Sequence, residues 1–495
     1  VKEPKLGEHV FEVPDTREGW VDALRSIITP FSGKGALPAS FDFSKVRPHG
    51  EPIKGFGGVA SGPAPLAELL DQVKEILTKL IGGKLTVTAI NDIFNLIGRC
   101  VVAGNVRRSA ELSLGDADDE EFLVLKDPAV NQERLMHHGW ASNNSVFANV
   151  GMDYQRISEL IQKNGEPGTI WLDNCQNFGR MKDGFDRKDY RVQGVNPCAE
   201  MTLESYETCN IVETFPSNHE SKEDYLKTLK FAYLYSKTVT LLKTHSVRTN
   251  AVMQRNRRVG CSMSGIVQAV QKFGRRSFFD MCDEGYKYLK ELDREYSDWM
   301  CIPKSVKMTT VKPSGSVSLL PGNTSGIHFA HSEYYIRRIR FQANSNMLDK
   351  LAANGYPMEP DSYSPNTTVV SFPVKEEYFD RSKTDVTMWE QLELAAQMQH
   401  YWADNSVSIT VTVKPEEMKD IKYALEMYET RLKTVSFLPL SEHGYVQAPY
   451  ETITKEKYEE LSATITPVTS FTEDTHEVTE VFCTNDYCEV RPKSV

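Results

Sequence analysis

A chain of 495 residues, 40% hydrophobic and 25% charged, can bury a large core and exceeds one ordinary two-layer domain. Its formal net charge of −11 argues against a surface built to hold nucleic acid, and its basic runs, Arg107-Arg108, Arg255 to Arg258 and Arg337 to Arg340, are short. No stretch reaches the roughly 18 consecutive apolar residues of a membrane span, and the start VKEPKLGEHVFEVP has no apolar signal core, so a cytoplasmic protein with reduced thiols is expected.

Residues 1 to about 60 are punctuated by Pro and Gly and read as loops. From Leu66 the apolar positions Leu69, Leu70, Val73, Ile76, Leu77 and Leu80 recur at helical spacing until Gly82-Gly83 stops them, which predicts a helix. A second helix is expected over about Ala89 to Val102, ending at a Gly/Asn break that carries two arginines. Further helices near 153–164, 223–243 and 277–298 alternate with candidate strands Gly168 to Leu172 and Ser305 to Val311, a pattern that points to a mainly parallel α/β sheet or barrel. Thr367 to Phe372 and Ser406 to Val413 read as later strands. From about Pro439 the chain is polar and reads as a mobile tail.

Four stretches carry chemistry. In VNPCAEMTLESYETCN (195–210), Cys198 and Cys209 lie eleven residues apart, with Glu200 two positions after the first cysteine. Asn196-Pro197 biases the backbone towards an extended turn, so Cys198 is expected at a loop tip with Glu200 on the same side. No nearby His supplies a base for nucleophilic use, and no C-x2-C pair supplies zinc spacing, which leaves redox or radical use beside the plain alternative of a packed cysteine. Lys312-Pro-Ser-Gly-Ser-Val-Ser318 follows an apolar strand, and its Ser314, Gly315, Ser316 and Ser318 could cradle a phosphate or simply form a turn. Cys483-Thr-Asn-Asp-Tyr-Cys488 is a lone C-x4-C pair, too few ligands for a zinc knuckle but suited to thiol exchange, and no metal site is expected. Gly104, Asn105, Val106, Arg107 and Arg108 form the fourth, a loop whose arginines suit anion contacts or open solvent.

In this order the features resemble the ribonucleotide reductases, most closely the monomeric, adenosylcobalamin-dependent class II ribonucleoside-triphosphate reductases. The likeness extends through VPDTREGW, DFSKVRPHGEPIKGFGG, VVAGNVRRSAEL, ASNNSV and GIHFAHSEYYIRRIR. The resemblance implies a ten-stranded α/β barrel around a central finger loop, with its N-terminal strand or strands missing from this chain, an effector-region-like segment at 1–110, a catalytic barrel at 111–438 and a redox-active C-terminal segment at 439–495. Cys198 then carries the thiyl radical, Glu200 is the base for the ribose 3′ hydroxyl, Asn196 holds the ribose hydroxyls and Cys209 is half of the reducing dithiol. The Ser314 to Ser318 turn holds substrate phosphates, Gly104 to Arg108 relay a nucleotide effector, and Cys483 with Cys488 shuttles electrons from thioredoxin.

The D-x-H-x-x-G signature is missing, since Asp474-Thr-His-Glu-Val-Thr479 ends in Thr, so base-on adenosylcobalamin is expected, with contacts in the later strands and around 437–476. Two departures stand out. Ala199 occupies a position that is usually glycine in the family, and the second reducing cysteine, which belongs on an early barrel strand, has no counterpart here; Cys100, at the end of a helix, is no substitute. A separate N-terminal polypeptide, or a fragment that acts as an effector-binding or assembly subunit, is the alternative reading. Class I reductases are disfavoured because Tyr334-Tyr335 follows the phosphate turn too closely, and glycyl radical enzymes because Gly444-Tyr445 lacks the preceding Arg-Val.

Overall fold

The computed structural model describes residues 1–51, 60–103, 109–343, 345–362, 367–440 and 447–469, together with strand residues 483–484 and 487–488. The chain forms two compact units. One comprises Val1–Ser113, Val124–Asn143 and Thr469–Val495, the other Leu114–Leu123 and Asn144–Val468.

The first unit is built on three helices, Arg17–Phe31, Ala64–Lys79 and Val87–Val102. The last two fall where their apolar periodicity predicts. The first corrects the reading of residues 1–60 as loops: Thr16 caps it by accepting from the Gly19 amide at 3.0 Å, and Ala23, Ile27 and Phe31 recur every fourth residue on its buried face. These side chains join Leu66, Leu70, Val73, Leu77, Leu96 and Cys100 in one core. Each fully buried aliphatic or aromatic residue there contributes about 1.5–3 kcal/mol. The strand pairs Lys5–Leu6 with Ala36–Leu37 and Val10–Glu12 with Ser40–Asp42, both parallel, complete the segment before Pro52.

The second unit contains the α/β layer. Ile211–Thr214 pairs in parallel with Gly260–Met263, whose Cys261 bridges in parallel to Thr309, and Val311 bridges in parallel to Val407. Thr410–Val413 pairs in parallel with Thr434–Pro439, which turns the direction by pairing antiparallel with Gly168–Ile170, and that strand runs parallel to Ser142–Phe147. Glu111–Asp116 lies at the edge of the same sheet. Among the described residues this gives a run of eight extended segments, five parallel and then an antiparallel join, so the expected ten strands are not all seen.

The helices Gln155–Asn164, Lys222–Val239 and Arg275–Met300 match the predicted ones. Ser305 to Val311 is extended but meets its neighbours through bridges, and the strand predicted to reach Leu172 stops at Ile170, because a short helix begins at Leu172. Among the described residues the polar end forms regular elements up to Ala463: Tyr450–Thr452 pairs antiparallel with Tyr334–Gln342, which also pairs with Thr367–Lys375, and Lys455–Ala463 is a helix.

A buried ionic lattice centres on Arg258, just before the strand Gly260–Met263. The Arg258 guanidinium holds both Asp189 oxygens at 2.7 Å, Glu207 approaches its Nε at 3.0 Å, and the Lys307 ammonium lies 2.9 Å from Asp189. Burial alone would raise the Asp189 carboxyl, but Lys307 and Arg258 outweigh it and hold it down at about 2. A depressed folded-state value gives stability that is present above the unfolded carboxylate range and lost as pH falls from about 4 towards 2. Truncation in Arg258→Ala leaves Glu207 without its cation and Asp189 with Lys307 alone, with an expected cost of about 3–5 kcal/mol. Denaturant unfolding at pH 7 measures that loss, and an unchanged midpoint would show that the lattice contributes little.

Candidate active site

Residues 194–203 form a two-stranded hairpin, Gly194–Val195 against Thr202–Leu203, with the Asn-Pro-Cys-Ala-Glu sequence at its tip. The tip is held on consecutive carbonyls. The Ser408 hydroxyl donates to the Cys198 carbonyl, the Thr434 hydroxyl to that of Ala199 at 3.2 Å, and the Thr310 hydroxyl to that of Glu200 at 2.6 Å. The Ser406 amide donates to the Glu200 carbonyl as well, at 3.0 Å. Three separate segments of the parallel layer therefore fix one loop. The Asn196 side chain closes it from within: Oδ1 accepts from the Met201 amide at 2.9 Å, and Nδ2 points at the Cys209 sulfur at 3.8 Å.

This arrangement brings four of the predicted residues, Asn196, Cys198, Glu200 and Cys209, into one cluster. Cys198 and Cys209 are exposed, while Glu200 and Asn196 are buried. Neither Glu200 carboxylate oxygen has a hydrogen-bond partner, and burial raises this carboxyl above its usual range, with the Asn196 amide and Lys312 pulling the other way. Partial burial and the Glu200 charge push both thiols up, against the pull of Lys312. Both cysteines are therefore held as S–H groups, a state suited to giving up a hydrogen atom and ill suited to nucleophilic attack.

The backbone at Ala199 has φ +62°, in the left-handed region that costs a residue with a Cβ about 1–2 kcal/mol. The loop thus demands the conformation for which glycine is best, and the alanine occupies it under strain.

Lys312 joins the cluster to the serine-rich turn. Its amide donates to the Ser262 hydroxyl at 2.9 Å. Beyond it, Ser314 and Ser318 are buried, with the Ser318 hydroxyl spent on the Ser314 carbonyl, while Gly315 and Ser316 are exposed. Gly326 folds back onto the turn, and a Cβ there would collide with the Lys312 carbonyl. The turn thus begins at Lys312, whose charge acts on Cys198, Glu200 and Cys209, and the hydroxyl turned inward at Ser318 is a structural one in this conformation.

One participant was missed. Glu213, on the strand Ile211–Thr214, faces Lys312 and Glu200, and burial pushes its carboxyl up to about 7. Its only sequence signal is a carboxylate four residues after Cys209 in a short apolar strand. Gly104 to Arg108 lie outside the described residues. Cys483 and Cys488 are opposite each other in a two-stranded antiparallel pair. Cys100 sits in the core of the first unit, its thiol pushed up to about 12 by burial, closed to redox exchange. A separate cavity of about 450 Å³, lined by Glu393, His400, Tyr401 and Arg431, holds none of these groups, and its Glu393–Arg431 charges already pair.

Comparison with known proteins fits this geometry. Residues 3–77 match the family described as B12-dependent ribonucleotide reductase, insertion domain. A crystal structure of a B12-dependent (class II) ribonucleotide reductase superimposes with a TM-score of 0.83 at 38% identity, over 93% of this chain and 68% of that one. The chain belongs to the B12-dependent, class II ribonucleotide reductases. A probable adenosylcobalamin-dependent ribonucleoside-triphosphate reductase of Dictyostelium discoideum is 50% identical over 93% of this chain and 61% of its own length. The adenosylcobalamin-dependent ribonucleoside-triphosphate reductase of Euglena gracilis is 47% identical over 97% of this chain and 66% of its own. The chain thus spans slightly less than two thirds of the curated relatives it matches.

Relief of the strained residue provides a direct check on the loop. Ala199→Gly should stabilise the chain by about 1 kcal/mol through the left-handed residue alone. A higher denaturant midpoint with an unchanged slope is the expected result, and a lower midpoint would mean that the Ala199 methyl makes packing that outweighs the strain.

Proposed function

We propose that the protein reduces ribonucleoside triphosphates to 2′-deoxyribonucleotides for DNA synthesis by thiyl-radical chemistry at Cys198. The observation that carries this is the convergence of an exposed S–H group, a buried unpartnered carboxylate, an amide and a second thiol on one pinned loop. The Cys198 radical removes the ribose 3′ hydrogen, Glu200 takes the 3′ hydroxyl proton, and Asn196 holds the ribose hydroxyls. Water then leaves the 2′ carbon, and two thiols, Cys209 among them, become a disulfide as that carbon is reduced.

Adenosylcobalamin, expected base-on, supplies the initiating radical when bound. The protonated, outward-facing Cys198 thiol fits that role, and the residues to hold the cofactor are sought in the later strands and in 437–476. The parallel run, its antiparallel join and the loop set against it support the ten-stranded barrel with 111–438 as its body. The exposed amide-rich turn at Gly315 and Ser316 is the natural phosphate contact, with Ser314 and Ser318 shaping it. Gly104 to Arg108 are proposed to relay a nucleotide effector bound by the 1–110 segment, and Cys483 with Cys488, in 439–495, to reload the buried disulfide from thioredoxin.

Among the described residues no helix is long and apolar enough to cross a membrane, and we place the reaction in the cytoplasm. Among the described residues Cys175, Cys261 and Cys282 are buried like Cys100, and Cys301, though exposed, caps the end of the helix Arg275–Met300 with its thiol against the Asp298 carbonyl, so none is set beside Cys209. Turnover is expected to need a thiol from a further segment, fused or as a separate polypeptide.

Nucleotide reduction with adenosylcobalamin and a dithiol, with and without the segment of a longer relative that this chain does not span fused or added, tests the assignment. In the active form Cys198→Ser should abolish product, because an alcohol O–H is too strong to open, and Glu200→Gln should lower turnover about 10²–10⁴-fold. Substantial product from Cys198→Ser would overturn the radical assignment. Paired Cys483→Ser and Cys488→Ser should lose thioredoxin-driven turnover yet keep turnover driven by a small dithiol. Equal loss with both reductants would assign the pair to the structure or to the site itself.

A further inference from the structure

Glu213 has no part in the chemistry above, yet it stands in the same cluster. It lies opposite Ser262 in the parallel ladder, and the Ser264 hydroxyl, which accepts from the Gly326 amide at 2.9 Å, gives its own proton to Glu213 Oε1. Oε2 is buried and has no hydrogen-bond partner. The charged and titratable groups facing this carboxyl are Glu200 from the finger loop, Lys312 from the start of the serine-rich turn, Cys261 from the neighbouring strand and Tyr225 from the helix Lys222–Val239. Among them Lys312 is the one cation, shared between two carboxylates. An arriving nucleotide adds more negative charge where a single ammonium already serves two acids.

We propose that Glu213 takes up one proton when the nucleotide binds, so that a neutral carboxyl and not a second anion faces the substrate. The proposal rests on the nucleotide reading above. Ser264 spends its only proton on Oε1, so the new proton resides on Oε2, on a carboxyl that the Ser262 hydroxyl also faces, and the loss of charge is what favours the nucleotide. The balance is simple: one proton leaves the solvent, and the carboxyl goes from −1 to neutral. Lys312 is then left to Glu200, which keeps the base ionised. A carboxyl already raised to about 7 by burial gives up its charge easily, and nearby phosphate raises it further. Uptake is therefore greatest just above pH 7, and affinity falls as pH rises through that range.

Calorimetric titration of the chain with CTP and magnesium at pH 7.5, in two buffers of different ionisation enthalpy, counts the protons taken up. The wild type should show an excess of up to about one proton per nucleotide over Glu213→Gln, and its dissociation constant should rise by up to about tenfold per pH unit between pH 7 and 8.5 while that of the variant stays flat. Glu200→Gln, which leaves Lys312 to Glu213 alone, should shrink the excess. Equal uptake by wild type and Glu213→Gln, or a larger excess in Glu200→Gln than in the wild type, would overturn the proposal while leaving nucleotide binding in place. Absence of any binding heat in the wild type in either buffer would instead overturn the nucleotide reading and this proposal with it.

Discussion

The site depends on a loop whose backbone is spoken for. Peptide carbonyls in the middle of a protein must find donors, and those of Cys198, Ala199 and Glu200 find theirs on three different segments of the parallel layer. That requirement explains other features. Ser408, Thr434 and Thr310 are hydroxyl residues at strand positions where apolar ones would be ordinary, because the layer must donate inward at those points. The left-handed turn at Ala199 is what lets successive carbonyls reach separate strands while Cys198 stays outermost. Rigidity follows from the number of independent anchors, and a radical carrier needs it, since a mobile thiyl would abstract hydrogen from whatever it met.

The hairpin base is fixed by different means. Thr202, on its second strand, accepts from both Arg258 and Lys307 at 3.1 Å, so the ionic lattice reaches the loop directly. Lys433 adds three backbone carbonyls, of Phe178, Gly179 and Asp404, to the same buried region. Replacing such a lattice by apolar side chains could match its stability. Charge pairing specifies one arrangement, whereas an apolar core would tolerate several, and a loop that must present a sulfur at a defined place gains from that specificity.

How much of this was legible in the sequence follows the range of the interactions. The helices at 64–79, 87–102, 222–239 and 275–300 could be read because their apolar spacing is local. The helix Arg17–Phe31 was readable too, from the Thr16 cap and the recurrence of Ala23, Ile27 and Phe31, but its Pro and Gly neighbours masked the pattern. The cysteine and carboxylate spacing of 196–209 pointed to the cluster for the same local reason. The anchors did not announce themselves, because Thr310, Ser408 and Thr434 lie 110, 210 and 235 residues from their partners and carry no motif. The bridges of Ser305 to Val311 and the late strand Tyr450–Thr452 are likewise set by distant partners, which override local composition.

Electrostatics then separates two uses of cysteine that spacing alone leaves open. A nucleophilic or metal-binding thiol sits among cations or near a helix N-terminus, which favours the thiolate. Here one lysine faces two carboxylates and two thiols, and the net field of the cluster favours protons on sulfur. The burial of Glu200 without a hydrogen-bond partner fits its proposed role, in which a ligand brings its own hydroxyl. Under the proposed function, protonated thiols exchange hydrogen atoms on one side and an unsatisfied carboxylate exchanges a proton on the other, the division of labour that removal of a ribose hydroxyl requires.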